Sequence, residues 1–280
     1  MSLSSKLDIF ALAQQNDPDL ESRYQTLLTT PGVDATLLSR FRNHVQNTAR
    51  VSINMHLYVL NDFLFSKKYK NIHDWANQIA IRGRRTPERL MEEKLREWYL
   101  PRKNFESIFV DGEKFYYGLL NIGGEGTRKY GDYCVVVQEK YWEKILSIYL
   151  AEDSLVGYMD AKSTLIFDKF KQELASMEQR HTLAALKHHE EIAKIDQKDW
   201  PELVCKETKY IEVIFVGSLT PEQIEEVRIE KNLLESLLNS AFDDINANTM
   251  GDKSRRMEVA LFTTVVEQLD IHNIPWGKTL

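Results

Sequence analysis

The chain contains 280 residues, of which 43% are hydrophobic and 28% are charged, a composition typical of a folded protein and not of a long disordered segment. Its formal net charge of −6 gives it no overall attraction to nucleic acids or anionic lipid surfaces. No apolar run approaches the roughly 20 residues that cross a bilayer, and residues 1–11 lack a secretory signal pattern. These features predict a protein with no membrane segment that is cytoplasmic or reaches a host or target cell without a Sec signal peptide.

The cysteines and histidines give no sign of a disulfide framework or a metal site. Cys134 and Cys205 each lie among apolar residues and form no C-x-x-C pair, which is typical of buried reduced thiols. The His-His-Glu-Glu segment at 188–191 lacks the H-E-x-x-H spacing of zinc proteases. We therefore expect no bound metal.

The N-terminal region is predicted to be helical over residues 17–49. Asp19 is a possible N-cap, and a Pro-Gly pair at 31–32 interrupts the pattern. A second helix is predicted from 35 to 49, because its apolar side chains recur on one face.

A strand is predicted directly after these helices. Residues 51–57 alternate apolar side chains with Ser52, Asn54 and His56, the period-two pattern of a strand with one buried face. His56 is expected on the polar face, where it either binds a ligand or is satisfied by backbone groups. Arg50 precedes the strand, and its guanidinium is suited either to a phosphate or to the negative end of the preceding helix.

The middle of the chain is predicted to contain helical segments and two strands. Residues 59–80 are expected to be mainly helical, and residues 87–100 are expected to form a helix with Trp98 facing inward. The strands are expected over 108–121 and 132–138, and the second is expected to be central because its apolar run is continuous.

Tyrosines and glycines surround the connection between these two strands. Tyr117, Gly118 and Asn121 precede the glycine-rich stretch 123–127, and Tyr130 follows it. Glycine lets a backbone approach a ligand closely, and tyrosine rings stack on planar heterocycles. Because the stretch matches neither G-x-G-x-x-G nor a P-loop, a simple hairpin loop is the alternative.

The second half of the chain is predicted to be mainly helical around one apolar strand. Helical segments are expected over 140–150, over about 165–197 as one long charged helix, at a turn over 220–222, and over 254–270. The apolar strand is expected over 210–217.

Glu212 lies inside this apolar strand and is the candidate catalytic residue. Carboxylates are depleted in strands and are rarely buried without a partner. Glu212 is therefore expected either to face solvent at the strand end or to have a chemical role.

The segment from Tyr210 to Ile229, YIEVIFVGSLTPEQIEEVRI, resembles the catalytic-glutamate strand of ADP-ribosyltransferases. In that superfamily the strand starts with the glutamate, continues with apolar residues, and passes through a loop with proline into an I-x-x-V-x-V segment. Glu212, Pro221 and residues 224–229 occupy these places. The residue two positions before the glutamate is often Gln or Glu in the family and is Tyr210 here.

Shorter blocks are similar to an uncharacterised bacterial domain family that itself looks ADP-ribosyltransferase-like. Asn54 replaces the first histidine of that family's H-x-H strand, and its Gln-Phe-Glu-Thr-Gly block is absent from residues 78–86. The similar blocks are 51–56, 91–98, 117–121 and 128–131.

The resemblance implies NAD-dependent transfer of ADP-ribose to a macromolecule, a protein rather than a nucleic acid, in the setting of a bacterial toxin or secreted effector. It implies that Glu212 binds the 2′-hydroxyl of the nicotinamide ribose and stabilises the positive charge of the transition state. It implies that His56 holds a ribose of NAD, with Arg50 as the alternate contact for a phosphate.

The remaining site residues are also implied by the resemblance. Tyr117 or Tyr130 would pack on the nicotinamide ring. Gly118 and Asn121 would shape the floor of the site.

The predicted fold is α+β, with a split antiparallel sheet and surrounding helices over 50–232 and helical extensions over 1–49 and 233–280. Two other functions fit the sequence. A non-enzymatic interaction module would dock a partner protein through the helix at 165–197, and a metal-dependent nuclease would use Glu212 as a metal ligand. A shared cavity lined by Glu212 and the other site residues would favour the enzyme over the interaction module.

Overall fold

The computed structural model describes residues 6–246 and 253–277. The helices in these ranges are α1 (Ile9–Leu28), α2 (Ala35–Thr48), α3 (Leu57–Ser66), α4 (Ile72–Arg82), α5 (Pro87–Leu95), α6 (Tyr99–Ile108), α7 (Glu139–Trp142), α8 (Phe167–Gln172), α9 (Arg180–Ile192), α10 (Trp200–Cys205), α11 (Lys231–Asn246) and α12 (Lys253–Ile271). The strands are β1 (Arg50–Met55), β2 (Phe115–Asn121), β3 (Tyr133–Val137), β4 (Leu146–Leu150), β5 (Leu174–Ser176), β6 (Glu212–Val216), β7 (Ile224–Ile229) and β8 (Trp276–Gly277).

The described strands are joined in the order β5-β4-β6-β2-β1-β3-β7-β8. Every neighbouring pair is antiparallel except β7 and β8. The predicted α+β fold, an antiparallel sheet with surrounding helices, is confirmed. The predicted split is not a break in hydrogen bonding, since all the described strands belong to one sheet. The register places Leu150, Glu212, Leu119 and Ser52 side by side across four adjacent strands.

Strand β1 has the predicted alternation, but both of its faces are covered. Ser52 and Asn54 are as buried as the apolar residues between them. The connection between β2 and β3 lies over this face: the Asn54 amide donates to the carbonyl oxygens of Glu125 (3.1 Å) and Gly131 (3.0 Å). Ser52 and Asn54 are therefore covered by this loop and do not face solvent.

The terminal helices pack into the same core as the sheet. Helix α1 begins at Ile9 and not near Asp19, because the Asp8 carboxylate caps it by accepting the N–H groups of residues 10 and 11. Leu20 of α1 and Phe262 of α12 belong to the buried cluster that contains the apolar residues of β1. Of the predicted extensions, residues 1–5, 247–252 and 278–280 lie outside the described residues.

The single long helix expected over 165–197 is wrong. The segment forms α8, then β5, then α9, because Leu174, Ala175 and Ser176 pair with Leu150, Tyr149 and Ile148 at the edge of the sheet. Helix α9 packs against α1 and α2 and buries most of its residues. A helical spacing of apolar residues is compatible with this broken path, and only the tertiary contacts decide between the two.

Three other predicted elements also differ. The helix expected over 87–100 ends at Leu95, and Trp98 is 41% exposed. Of the helix expected over 140–150, only α7 forms, because the following residues pair with β6 as strand β4. The strand expected from 108 begins at Phe115, after helix α6.

Candidate active site

A cavity of about 450 Å³ lies between the β6–β2–β1 part of the sheet and helices α3 to α6, a volume in the usual range for small-molecule sites. Aromatic and apolar side chains make up much of its wall, with a few charged groups among them. Most of the predicted site residues line it, although they come from distant parts of the chain. These residues are His56, Tyr117, Gly118, Tyr130 and Glu212.

Glu212 is buried at the start of β6, with only 5% of its surface exposed, so its expected alternative, a solvent-facing strand end, is wrong. Its Oε2 accepts a hydrogen bond from the backbone N–H of Ser154 at 2.8 Å. Burial, with the nearby negative charge of Asp153, raises the pKa of Glu212 to about 8 against the opposing effect of Arg102. At neutral pH this pKa favours the protonated carboxyl group.

The turn that follows β4 brings a second carboxylate to this end of the cavity. Asp153 Oδ2 accepts the hydroxyl groups of Tyr130 and Tyr210, each at 2.7 Å, and these two hydroxyl oxygens lie 2.8 Å apart. Asp153 Oδ1 accepts the N–H groups of Leu155 and Val156. Burial by itself would raise the pKa of Asp153, but these hydrogen bonds outweigh it and lower the pKa. Asp153 is therefore ionised and its oxygens are fully used.

A second polar cluster lies between α6 and β2. The Arg102 guanidinium lies 3.7 Å from the centre of the Tyr117 ring and 3.5 Å from Glu106 Oε1. The Tyr117 hydroxyl donates to Glu106 Oε1 at 3.0 Å, and His73 Nε2 lies 2.8 Å from Glu106 Oε2. The buried Nε of Arg102 has no hydrogen-bond partner among the described residues. Arg102 covers one face of the Tyr117 ring, and the ring also packs against the buried cluster that contains Phe115.

Aromatic side chains and one lysine form the rim. The rings of His56 and Tyr58 stack with their centres 5.7 Å apart. Lys94 Nζ lies over the Tyr58 ring and bonds its hydroxyl oxygen at 3.2 Å. Trp98 completes this part of the lining. This rim is suited to planar groups that carry negative charge.

Arg50 does not line the cavity, contrary to its predicted role. It begins β1, whereas His56 follows the other end of this 6-residue strand, roughly 20 Å away. Its guanidinium is paired with Glu139 Oε2 at 3.1 Å and Glu225 Oε2 at 3.2 Å. Arg50 is thus a surface cation already engaged by two carboxylates.

Asn121 does not line the cavity either, and it shapes the glycine-rich loop instead. Its Oδ1 accepts the N–H groups of Gly123 and Gly124, and its amide donates to Ser52 Oγ at 3.0 Å. The hairpin alternative for this loop is wrong, because β1 lies between β2 and β3 in the sheet. At Gly131, with φ of 138°, a side chain would collide with the backbone of Met55, so the loop lies directly on β1.

No sequence pattern pointed to Arg102, Asp153, Tyr58 or Lys94, which all line the cavity. Each belongs to an ordinary stretch of a helix or turn, and its place in the cavity depends on contacts with strands far away in the chain. Tyr210 was noted only as a departure from the family pattern, and it turns out to bond Asp153.

Cys134 and Cys205 are buried free thiols, as predicted, and burial raises the pKa of their thiols to about 11 and about 12. Within residues 6–246 and 253–277, no group of three or more His, Cys, Asp or Glu side chains is arranged to hold a metal ion. No helix in these ranges has the length and apolar character needed to cross a membrane. A scan of protein-family models and a search of curated proteins both find no match to this chain.

Proposed function

We propose that this protein binds NAD in the cavity and transfers its ADP-ribose to a macromolecular acceptor, a protein rather than a nucleic acid. The observation that carries this proposal is the convergence of Glu212, His56 and Tyr117 on one cavity. The resemblance to ADP-ribosyltransferases implies that these three residues line one site, although they are distant in sequence. An interaction module has no reason to bring them together.

Glu212 supplies the group that acts on the reacting bond. NAD carries a positive charge on its nicotinamide ring, and during transfer this charge moves onto the ribose as the glycosidic bond breaks. A carboxylate fixed beside the ribose by the Ser154 N–H stabilises that charge more in the transition state than in the ground state. A bound cation also favours the ionised form of Glu212, so binding lowers the pKa from about 8 and releases a proton.

Two cations from the helical wall suit the phosphates of NAD better than Arg50. Arg102 and Lys94 both line the cavity. Both cations keep N–H groups that no carboxylate in the described ranges occupies. Arg102 shares the Glu106 carboxylate with Tyr117 and His73. Lys94 bonds only the Tyr58 hydroxyl among the described residues. A guanidinium or ammonium in such a setting has N–H groups left for an anion.

His56 and the rim place the rest of the ligand. The imidazole of His56 lies at the cavity edge and is suited to a ribose hydroxyl. Tyr58 and Trp98 offer exposed rings for a planar base. Tyr117, which lines the same cavity, is the position for the nicotinamide.

The nuclease alternative is less well supported by the same geometry. It needs a second carboxylate that is free to bind a metal beside Glu212. Asp153 is the nearest candidate, but hydroxyl and N–H groups already occupy both of its oxygens. The toxin or effector setting remains a prediction from the resemblance.

The proposal is tested by label transfer. Purified protein is incubated with NAD labelled in its ADP-ribose part, with cell lysate and EDTA, next to a Glu212→Gln variant and an Arg50→Ala control. Label that appears on macromolecules with the wild type and the control, and disappears with the glutamine variant, supports transfer. Absence of both label transfer and NAD binding by the wild type would refute it, and an activity that appears only with added Mg²⁺ would favour the nuclease.

A further inference from the structure

Strands β4 and β6 separate at the end of the sheet that borders the cavity. Their last paired residues are Leu150 and Glu212. Beyond this pair, the carbonyl groups of Ala151 and Tyr210 are bridged by one side chain from helix α9. Lys187 Nζ donates to the Tyr210 oxygen at 2.7 Å and also to the Ala151 oxygen.

The environment of Lys187 is unusual for a lysine. It is partly buried next to Ala184 and His188 on α9, and no carboxylate oxygen of the described residues forms an ion pair with its Nζ. Its burial lowers the pKa to about 8. Burying an ammonium group costs free energy unless hydrogen bonds compensate for the water that it loses.

The bridge anchors one end of the turn 151–157, which forms the wall beside Glu212. At the other end of the turn, Lys169 Nζ donates to the Gly157 carbonyl at 3.0 Å. Between these anchors, Ser154 donates its N–H to Glu212 Oε2 at 2.8 Å. The direction of this N–H, and with it the position of the carboxyl group, depends on how firmly the turn is held.

We infer that Lys187 is a positioning residue: by joining the carbonyl groups of Ala151 and Tyr210 it fixes the turn whose Ser154 N–H holds the Glu212 carboxyl group in the cavity. The consequence for turnover rests on the proposed function. The consequence for the turn does not, because it concerns the protein without ligand.

The first test is amide hydrogen exchange of the ligand-free protein. Lys187→Met keeps the length of the side chain and removes its N–H donors, and Lys198→Met is the same change at an exposed lysine. We expect exchange at Ser154 to rise by about tenfold or more in the first variant, with no change at Phe215 in β6 and no change in the control. Unchanged exchange at Ser154 in Lys187→Met would overturn the inference.

Two further variants keep the test decisive. Lys187→Arg retains the charge and donors and is expected to keep Ser154 more protected than the methionine variant does. If Lys187→Met fails to fold, Lys187→Gln takes its place, because its shorter side chain does not span both carbonyl groups. Exchange at Ser154 equal to the wild type in a folded Lys187→Gln protein would overturn the inference as well.

The second test is a kinetic comparison with NAD. Because Glu212 acts in the transition state, Lys187→Met is expected to lower kcat by about tenfold or more and to leave KM nearly unchanged. A change confined to KM would contradict a positioning role. If the wild type does not turn over NAD, the proposed function fails, and the exchange experiment still decides the role of Lys187.

Discussion

The two walls of the cavity each bury one glutamate, Glu106 on α6 and Glu212 on β6, and they hold it in different ways. Their exposed fractions are nearly equal, 4% and 5%. Glu106 is bonded by Tyr117 and His73 and lies 3.5 Å from the Arg102 guanidinium. Glu212 accepts a backbone N–H from Ser154 and lies near the negative charge of Asp153.

This difference predicts a structural role for Glu106 and supports the reactive role proposed for Glu212. Glu106 joins α4, α6 and β2, and its partners balance the cost of burying its charge. Glu212 is kept in a state that water would not favour, since its pKa is raised to about 8. A buried acid held at unfavourable energy beside a cavity is a common property of functional sites. We therefore expect replacement of Glu106 to lower the stability of the protein and replacement of Glu212 to raise it above neutral pH.

The largest effect on stability is expected at Glu106. Glu106→Ala leaves the Tyr117 hydroxyl and the Arg102 guanidinium without their acceptor, which costs about 2–4 kcal/mol of the free energy of unfolding. Denaturant unfolding at pH 7 measures this loss. A loss below about 1 kcal/mol would show that the α6 wall does not depend on this cluster.

The next largest effect is expected at Arg102, measured as the KM for NAD. Arg102→Met keeps the apolar stem over Tyr117 but removes the charge, and it is expected to raise KM by about tenfold or more. Arg50→Ala is the control, since Arg50 is paired with Glu139 and Glu225 outside the cavity, and it should change KM by less than about twofold. Equal effects of the two variants would contradict the assignment of the phosphate contact to the helical wall.

Replacing Glu212 is expected to stabilise the protein above neutral pH. The pKa of Glu212 is about 8 in the folded protein against an ordinary value of 4.5, so between these values the folded protein holds a proton that the unfolded chain has lost. Stability due to this group is therefore present below pH 4.5 and is lost as the pH rises through 8. Glu212→Gln removes this loss and should be more stable than the wild type by about 1–3 kcal/mol at pH 8.5.

The same unfolding series at pH 5 provides the control for that prediction. There the stabilities of Glu212→Gln and the wild type should nearly coincide. A glutamine variant that is less stable than the wild type at every pH would place Glu212 in the same structural class as Glu106.

The smallest effect is expected at His188, which is buried but does not line the cavity. Neither ring nitrogen has a hydrogen-bond partner among the described residues, and burial lowers its pKa from 6.5 to about 3. Below pH 6.5 the unfolded chain binds a proton that the folded protein rejects, so stability is lost as the pH falls. His188→Leu should reduce the loss between pH 7 and 5.5 by about 1 kcal/mol.

The neighbouring His189→Leu is the matched control, because the His189 side chain is 31% exposed. The unfolding series of this variant is the baseline against which His188→Leu is compared. An acid sensitivity that persists in His188→Leu would show that other groups, such as the buried His181, dominate it.

The elements that were predicted from the sequence are those with a strong local pattern. Local patterns alone indicate the type of these elements. They are the alternation in β1, the apolar runs of β3 and β6 and the helical spacing of apolar residues in α12. Strands β4 and β5 were predicted as helix, because a short apolar segment becomes an edge or inner strand only when a neighbouring strand is available.

The residues of the candidate site were likewise predicted only where the local sequence was informative. Glu212 was found because a carboxylate inside an apolar strand conflicts with its local surroundings. Arg102 and Asp153 were missed because nothing conflicts locally at either residue, and their importance comes from Tyr117 and from Tyr210, which lie elsewhere in the chain. Arg50 was assigned to the site because it is near His56 in sequence, although an extended strand places its ends far apart.

The most direct test is the rate of nicotinamide release from NAD by the purified protein, compared between Glu212→Gln and Glu106→Gln. We expect the first variant to lose about 10³-fold of the wild-type rate, because it lacks the charge that stabilises the transition state. We expect the second, once corrected for its folded fraction, to stay within about tenfold of the wild type. Release by Glu212→Gln at the wild-type rate would contradict the account.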